Sequence, residues 1–168
     1  MKPKLYLVGP YGFSEAGRFF FYQTFIPRIE ALGCEVLNPW ALTAHEKIAR
    51  TQDLPYGSER RLAWQRLNRE IAANNIQAID RADGIIAVLD GADVDSGTAA
   101  EIGYGYGKGK RILGYRGDFR LATDNDGGLV NIQVQYFIEH SGGVIATTLA
   151  ELLQAIQQTF LIPKGREP

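Results

Sequence analysis

The chain has 168 residues, 45% of them apolar and 22% charged, with a formal net charge of −1. That length makes one domain with a single good core, and the near-zero charge excludes a long-range field that would gather nucleic acid or an anionic membrane. With one cysteine, Cys34, and two histidines, His45 and His140, no intrachain disulfide can form and no metal site is expected. No apolar run approaches the ~18 residues of a membrane span, and the run before Gly9-Pro10 is too short for a secretory signal, so a cytoplasmic location is expected.

Residues 5–8 form a short apolar run closed by Gly9-Pro10, which reads as a buried strand. Ser14 and Glu15 open a helix whose apolar residues Phe21, Phe25, Ile29 and Leu32 recur at helical spacing, and Gly33 ends it. A strand over 35–37 stops at Asn38-Pro39. Residues 40–58 read as a loop with a helical turn or two, long enough to suspect a role at a site. The longest periodic helix covers 59–82, and Arg60, Arg61, Arg66 and Arg69 on it read first as a solvated face or subunit contact. The run over 84–89 is apolar throughout, as expected for a strand buried on both faces of a parallel sheet. A polar loop (90–97), a helix (98–110), a strand (111–115), a second polar loop (117–128), a mixed segment (131–138), a strand at 144–145 and a helix over 149–160 complete the chain. With no repeat and no linker, residues 1–168 read as a single domain.

Strands alternating with helices at these spacings predict an α/β, flavodoxin-like doubly wound sandwich with a roughly five-stranded parallel sheet. Sites in such sheets lie beyond the carboxyl ends of the strands. The loops after Val8, Leu89 and Tyr115 therefore carry the expectation of function. The second is acidic, with Asp90, Asp93 and Asp95, and Glu101 follows a helical turn later. Thr98-Ala99-Ala100-Glu101 fits the S/T-x-x-E capping box, so spacing alone favours a structural role for Glu101 over a chemical one. The run 103–110, rich in glycine, matches neither G-x-G-x-x-G nor a P-loop, and reads as close packing on the sheet or a partner subunit. Asn75 interrupts the stripe Leu67, Ile71, Ile79 and must find hydrogen-bond partners, in the core or at a ligand.

These residues also carry a resemblance. Tyr6-Leu7-Val8-Gly9-Pro10, the pattern Asn75…Ile79…Ala82-Asp83, Asn131 after Leu129-Val130, and above all 95–104 (Asp-Ser-Gly-Thr-Ala-Ala-Glu-Ile-Gly-Tyr) resemble the nucleoside 2-deoxyribosyltransferase family over nearly the whole length. The resemblance implies a cofactor-free enzyme of nucleoside salvage that moves 2-deoxyribose between bases through a glycosyl ester. It makes Glu101 the nucleophile, Asp95 the carboxylate on the sugar hydroxyls, and Tyr6 the residue that orients the nucleophile. It sends Asn131 to the 5′-OH of a sugar held by a neighbouring subunit. It further implies 2′-deoxynucleosides and free nucleobases as partners and a homo-oligomer, often a hexamer, with sites completed across subunits. Some relatives carry aspartate at Asn75, linked to protonating the base; asparagine cannot titrate, which leaves Asp95 or a water held by Asn75 as the proton source. The carboxy-terminal stretch 162–168 does not match the aromatic tail that lines the site in some relatives.

A carboxylate suits this reaction because breaking an N-glycosidic bond builds oxocarbenium character at C1′, which the carboxylate stabilises and traps. Gly9, Tyr11 and Phe13 in the first loop are expected at the substrate, the two aromatics against the base unless Phe13 simply covers the core; Trp40 and Trp64 are further candidates for the pocket, though a large aromatic in an α/β domain is more often packing. Two rivals remain. One is an N-glycosidic hydrolase of nucleosides or their 5′-monophosphates; relatives acting on monophosphates tend to have serine in place of Asp95, whose charge would repel phosphate. The other is a non-catalytic nucleoside-sensing module on the same scaffold.

Overall fold

The computed structural model describes residues 1–162; residues 163–168, most of the tail compared with relatives above, lie outside the described residues. Five parallel strands, β1 (Lys4–Val8), β2 (Glu35–Leu37), β3 (Gly84–Val88), β4 (Arg111–Tyr115) and β5 (Ile145–Ala146), pair in the order β2-β1-β3-β4-β5. This is the flavodoxin-like order predicted from the sequence, and it changes direction between β1 and β3.

Period-two alternation in the strands divides the core into two layers. Tyr6, Val8, Ile85, Ala87 and Ile112 face α4 (Ser58–Arg81), α5 (Ser96–Gly107) and α6 (Ile132–His140). Leu5, Leu7, Ile86, Val88 and Leu113 face the opposite layer, made of α1 (Glu15–Phe20), α2 (Ile26–Ala31) and α7 (Leu149–Ile156). Gly105 explains part of the glycine-rich run. A Cβ there would come within 2.2 Å of Ile85 Cδ1, so a missing side chain lets α5 settle onto β3.

Three local differences from the sequence reading have physical causes. The first helix is not continuous: Phe21–Phe25 form a π turn, in which the Ile26 amide donates to the Phe21 carbonyl. Pro27 follows at once, and with no N–H to offer the preceding turn it is accommodated by the wider register. Residues 40–58 hold a helix, α3 (His45–Gln52), whose side chains are only partly buried and therefore show weak periodicity. The mixed segment 131–138 is α6, begun by Asn131, whose Oδ1 accepts from the amides of Gln133 and Val134.

Candidate active site

A cavity of about 300 Å³ opens at the carboxyl edge of the sheet, where the strand order reverses. Val8 and Gly9 line it from the end of β1, with Phe13 from the following turn. Gly9 has φ +151° and its Cβ would meet Val88 Cβ at 2.5 Å, so the backbone approaches β3 here only because the position is glycine. Pro39 and Trp40 line it beyond β2, Ile71 and Asn75 come from α4, and Asp95, Gly97, Thr98 and Glu101 from the start of α5. The volume suits one small molecule.

The beginning of α5 decides the role of Glu101. The helix starts at Ser96 with Asp95 as its cap, and Asp95 Oδ2 accepts from the Thr98 amide at 2.9 Å and from its hydroxyl at 3.1 Å. Thr98 is therefore inside the first turn, and Glu101 is a further turn along, out of reach of the cap. The capping box favoured by spacing is absent because an earlier residue caps better. Released from that task, Glu101 Oε1 accepts from Asn75 Nδ2 at 3.1 Å across the α4–α5 contact. Burial holds the Glu101 carboxyl above its ordinary range; the polar groups of Tyr6 and Asn75 oppose that rise and the charge of Asp95 adds to it.

Tyr6 projects from β1 into the same layer and is fully buried. Its hydroxyl lies near enough to Glu101 to favour the ionised carboxylate, yet makes no hydrogen bond of ordinary geometry. Burial first, and the Glu101 charge second, raise the Tyr6 pKa far above that of a free phenol, so its hydroxyl is a donor at any working pH. Asn75 Oδ1 is likewise buried without a partner. Asn75 thus lines the cavity from within an apolar stripe.

The structure brings together Glu101, Asp95, Asn75, Gly9 and Phe13 at the cavity, with Tyr6 directly behind Glu101. Tyr11 and Asn131 do not line it. Tyr11 points into the other layer, edge-on to Phe20 and Phe25, and donates to Asp90 Oδ2 at 2.5 Å. It cannot stack on a ligand there, which corrects the expectation for the first loop. Asn131 borders a separate depression with Asp93 and Asp124. Trp40, one of the two tryptophans left open between pocket and packing, is a cavity residue: its ring lies over Gly12 and meets Phe13 edge-on at 4.9 Å, and the two residues are 40% and 67% exposed. Its signal was Asn38-Pro39, which ends β2 beside the point where the strand order reverses. Of the four arginines, Arg61, Arg66 and Arg69 are exposed, whereas Arg60 lies over the Tyr56 ring and donates to the Leu54 carbonyl, away from the cavity.

In fold, the chain is similar to a conserved protein from Enterococcus faecalis V583, with 23% identity over 94% of this chain and 99% of that one and a TM-score of 0.70. It is similar to a 2-deoxyribosyltransferase from Leishmania mexicana, at 20% identity over 95% and 99% of the two chains, TM-score 0.62. A CMP N-glycosidase from Clostridium botulinum is similar at 18% identity over 92% and 98%, TM-score 0.55. No curated protein matches the sequence. A sequence model described as nucleoside 2-deoxyribosyltransferase matches residues 5–145, which take in β1, the whole cavity and the start of β5: the chain belongs to the nucleoside 2-deoxyribosyltransferase family, whose chemistry is glycosyl transfer and N-glycosidic cleavage.

Proposed function

We propose that the chain exchanges the base of 2′-deoxynucleosides by double displacement on Glu101. The observation that carries this reading is a half-buried carboxylate freed from helix capping and turned to a cavity at the sheet's switch point, with one oxygen held by Asn75. In the first step a Glu101 oxygen bonds to C1′ as the C1′–N bond breaks, and the base leaves with the electron pair. In the second, a nitrogen of another base attacks C1′ and the carboxylate departs. Asp95 binds the sugar hydroxyls with the oxygen not engaged on Thr98. The Tyr6 hydroxyl, held protonated beside Glu101, favours the ionised carboxylate. Trp40 and Phe13 take the base between exposed rings, a role first given to Phe13 with Tyr11. Asn75, unable to titrate, offers Oδ1 as an acceptor to a water or a base N–H. Asn131 serves a site in a second copy of the chain, since its own cavity is out of its reach.

The fold shared with a CMP N-glycosidase supports a second reading, hydrolysis of the same bond. Asp95 weighs against a 5′-monophosphate, because its charge would face the phosphate. Incubating a deoxynucleoside with a second free base separates the readings. Exchanged nucleoside supports transfer, free base without exchange supports hydrolysis, and neither product overturns both. A panel of purine and pyrimidine acceptors in the same assay measures base preference.

A further inference from the structure

Arg116, the residue after β4, is 4% exposed and has no carboxylate within ion-pairing distance among the described residues. An unpaired buried cation is costly unless its donors are well used. Here they are: its guanidinium donates to the carbonyls of Leu89, of Gly91 at 3.2 Å and of Arg120 at 2.5 Å. Between the first two carbonyls sits Asp90, with Oδ2 accepting from the Tyr11 hydroxyl at 2.5 Å and Oδ1 from the Asp118 amide at 2.9 Å. Three loops, those after β1, β3 and β4, are therefore tied behind the cavity by two side chains of opposite charge. Neither Tyr11, Asp90 nor Arg116 lines the cavity, but Gly9 and Phe13 flank Tyr11, Asp95 ends the loop that Asp90 begins, and Arg116 holds the start of that loop through Leu89 and Gly91.

We infer that Tyr11, Asp90 and Arg116 form a positioning network that fixes the Asp95 wall of the cavity against the Gly9–Phe13 wall. The inference rests on the exchange reaction proposed above for its catalytic readout. A network of this kind works through distance, and displacement of a reacting group by about 1 Å can cost on the order of a hundredfold in rate. Burial and the neighbouring Asp90 carboxylate hold the Tyr11 phenol protonated well beyond ordinary pH, so it remains a donor.

Tyr11→Phe removes one hydroxyl and keeps the ring in its aromatic cluster. Its kcat/KM at 25 °C should fall by about ten- to a hundredfold. Ile156→Val, in the layer away from the cavity, serves as a control that loses stability without losing rate. Arg116→Lys keeps the charge but cannot fork across two loops, and should lose as much activity as Arg116→Met; full activity in the lysine variant would overturn the inference. Hydrogen exchange of the whole chain gives a readout independent of catalysis. In Tyr11→Phe and Asp90→Asn, exchange should accelerate at the Asp118 amide and also at Val94 and Thr98, the latter bonded to Asp95. Acceleration confined to Asp118, or normal kcat/KM in Tyr11→Phe, refutes positioning. If the wild-type chain shows no glycosyl chemistry, the proposed function fails, and the spread of exchange to Thr98 still decides the network.

Discussion

The two sides of the sheet use the same strands for different ends. Toward α1, α2 and α7, β1 presents Leu5 and Leu7 to Phe21, Phe25 and Ile29, an apolar layer with nothing left to satisfy. Toward α4 and α5 it presents Tyr6, and two of the three buried polar side-chain atoms without partners among the described residues, Tyr6 Oη and Asn75 Oδ1, surround Glu101. Buried polar atoms left open destabilise a fold; gathered around one ionisable carboxylate, they make this side of the sheet the candidate functional one.

The sharpest test of this contrast is Glu101→Gln, which should remove exchange by on the order of 10⁴-fold or more while the protein stays folded. It should also raise the melting temperature at neutral pH by about 2–4 °C, the shift for roughly 1 kcal/mol in a chain of this length. The sign follows from burial: Glu101 binds its proton more tightly in the folded state, so its contribution is full below the unfolded pKa and is lost as pH rises through the higher folded one. The gain in the glutamine variant should fade in acid, and a melting temperature lower than wild type at pH 7 would contradict the account. Ile29→Ala, on the other side, should show the reverse pattern: a loss of about 2–5 kcal/mol in denaturant unfolding with kcat unchanged in the folded fraction. Asp95→Ala stands between them, with about 1 kcal/mol lost from the helix cap and a raised KM for the nucleoside in steady-state kinetics. Tyr6→Phe has the smallest expected effect. Without the phenol, the Glu101 pKa rises further, and because only the ionised carboxylate attacks, the acidic limb of the rate profile moves to higher pH. An unmoved limb would detach Tyr6 from Glu101.

Strand positions and layer order were legible in the sequence because β1, β3 and β4 are continuous apolar runs bounded by turn residues, and so was the switch-point placement of the site. The reading of Glu101 as a nucleophile came only from the motif around Asp95 and Glu101: spacing favoured a cap at Thr98, and the choice of Asp95 as cap depends on where the helix begins, which element boundaries read from sequence do not fix. The choice between Trp40 and Tyr11 stayed open for a similar reason. Both are aromatics in loops at the right edge of the sheet, and which one reaches the cavity is set by long-range partners: Asp90, far along the chain, takes the Tyr11 hydroxyl, and Gly12 makes room for the Trp40 ring. The π turn before Pro27 is likewise invisible to a hydrophobic pattern, which continues in phase across it.

The cap at the head of α5 also limits how this family can diversify. Whatever replaces Asp95 must still begin the helix, and only serine, threonine, asparagine and, at small cost, glycine do so well. Serine, the residue expected in relatives that accept a 5′-phosphate, is on that short list. On the role proposed for Asp95, an exchange for serine would therefore alter the ligand contact without a folding defect.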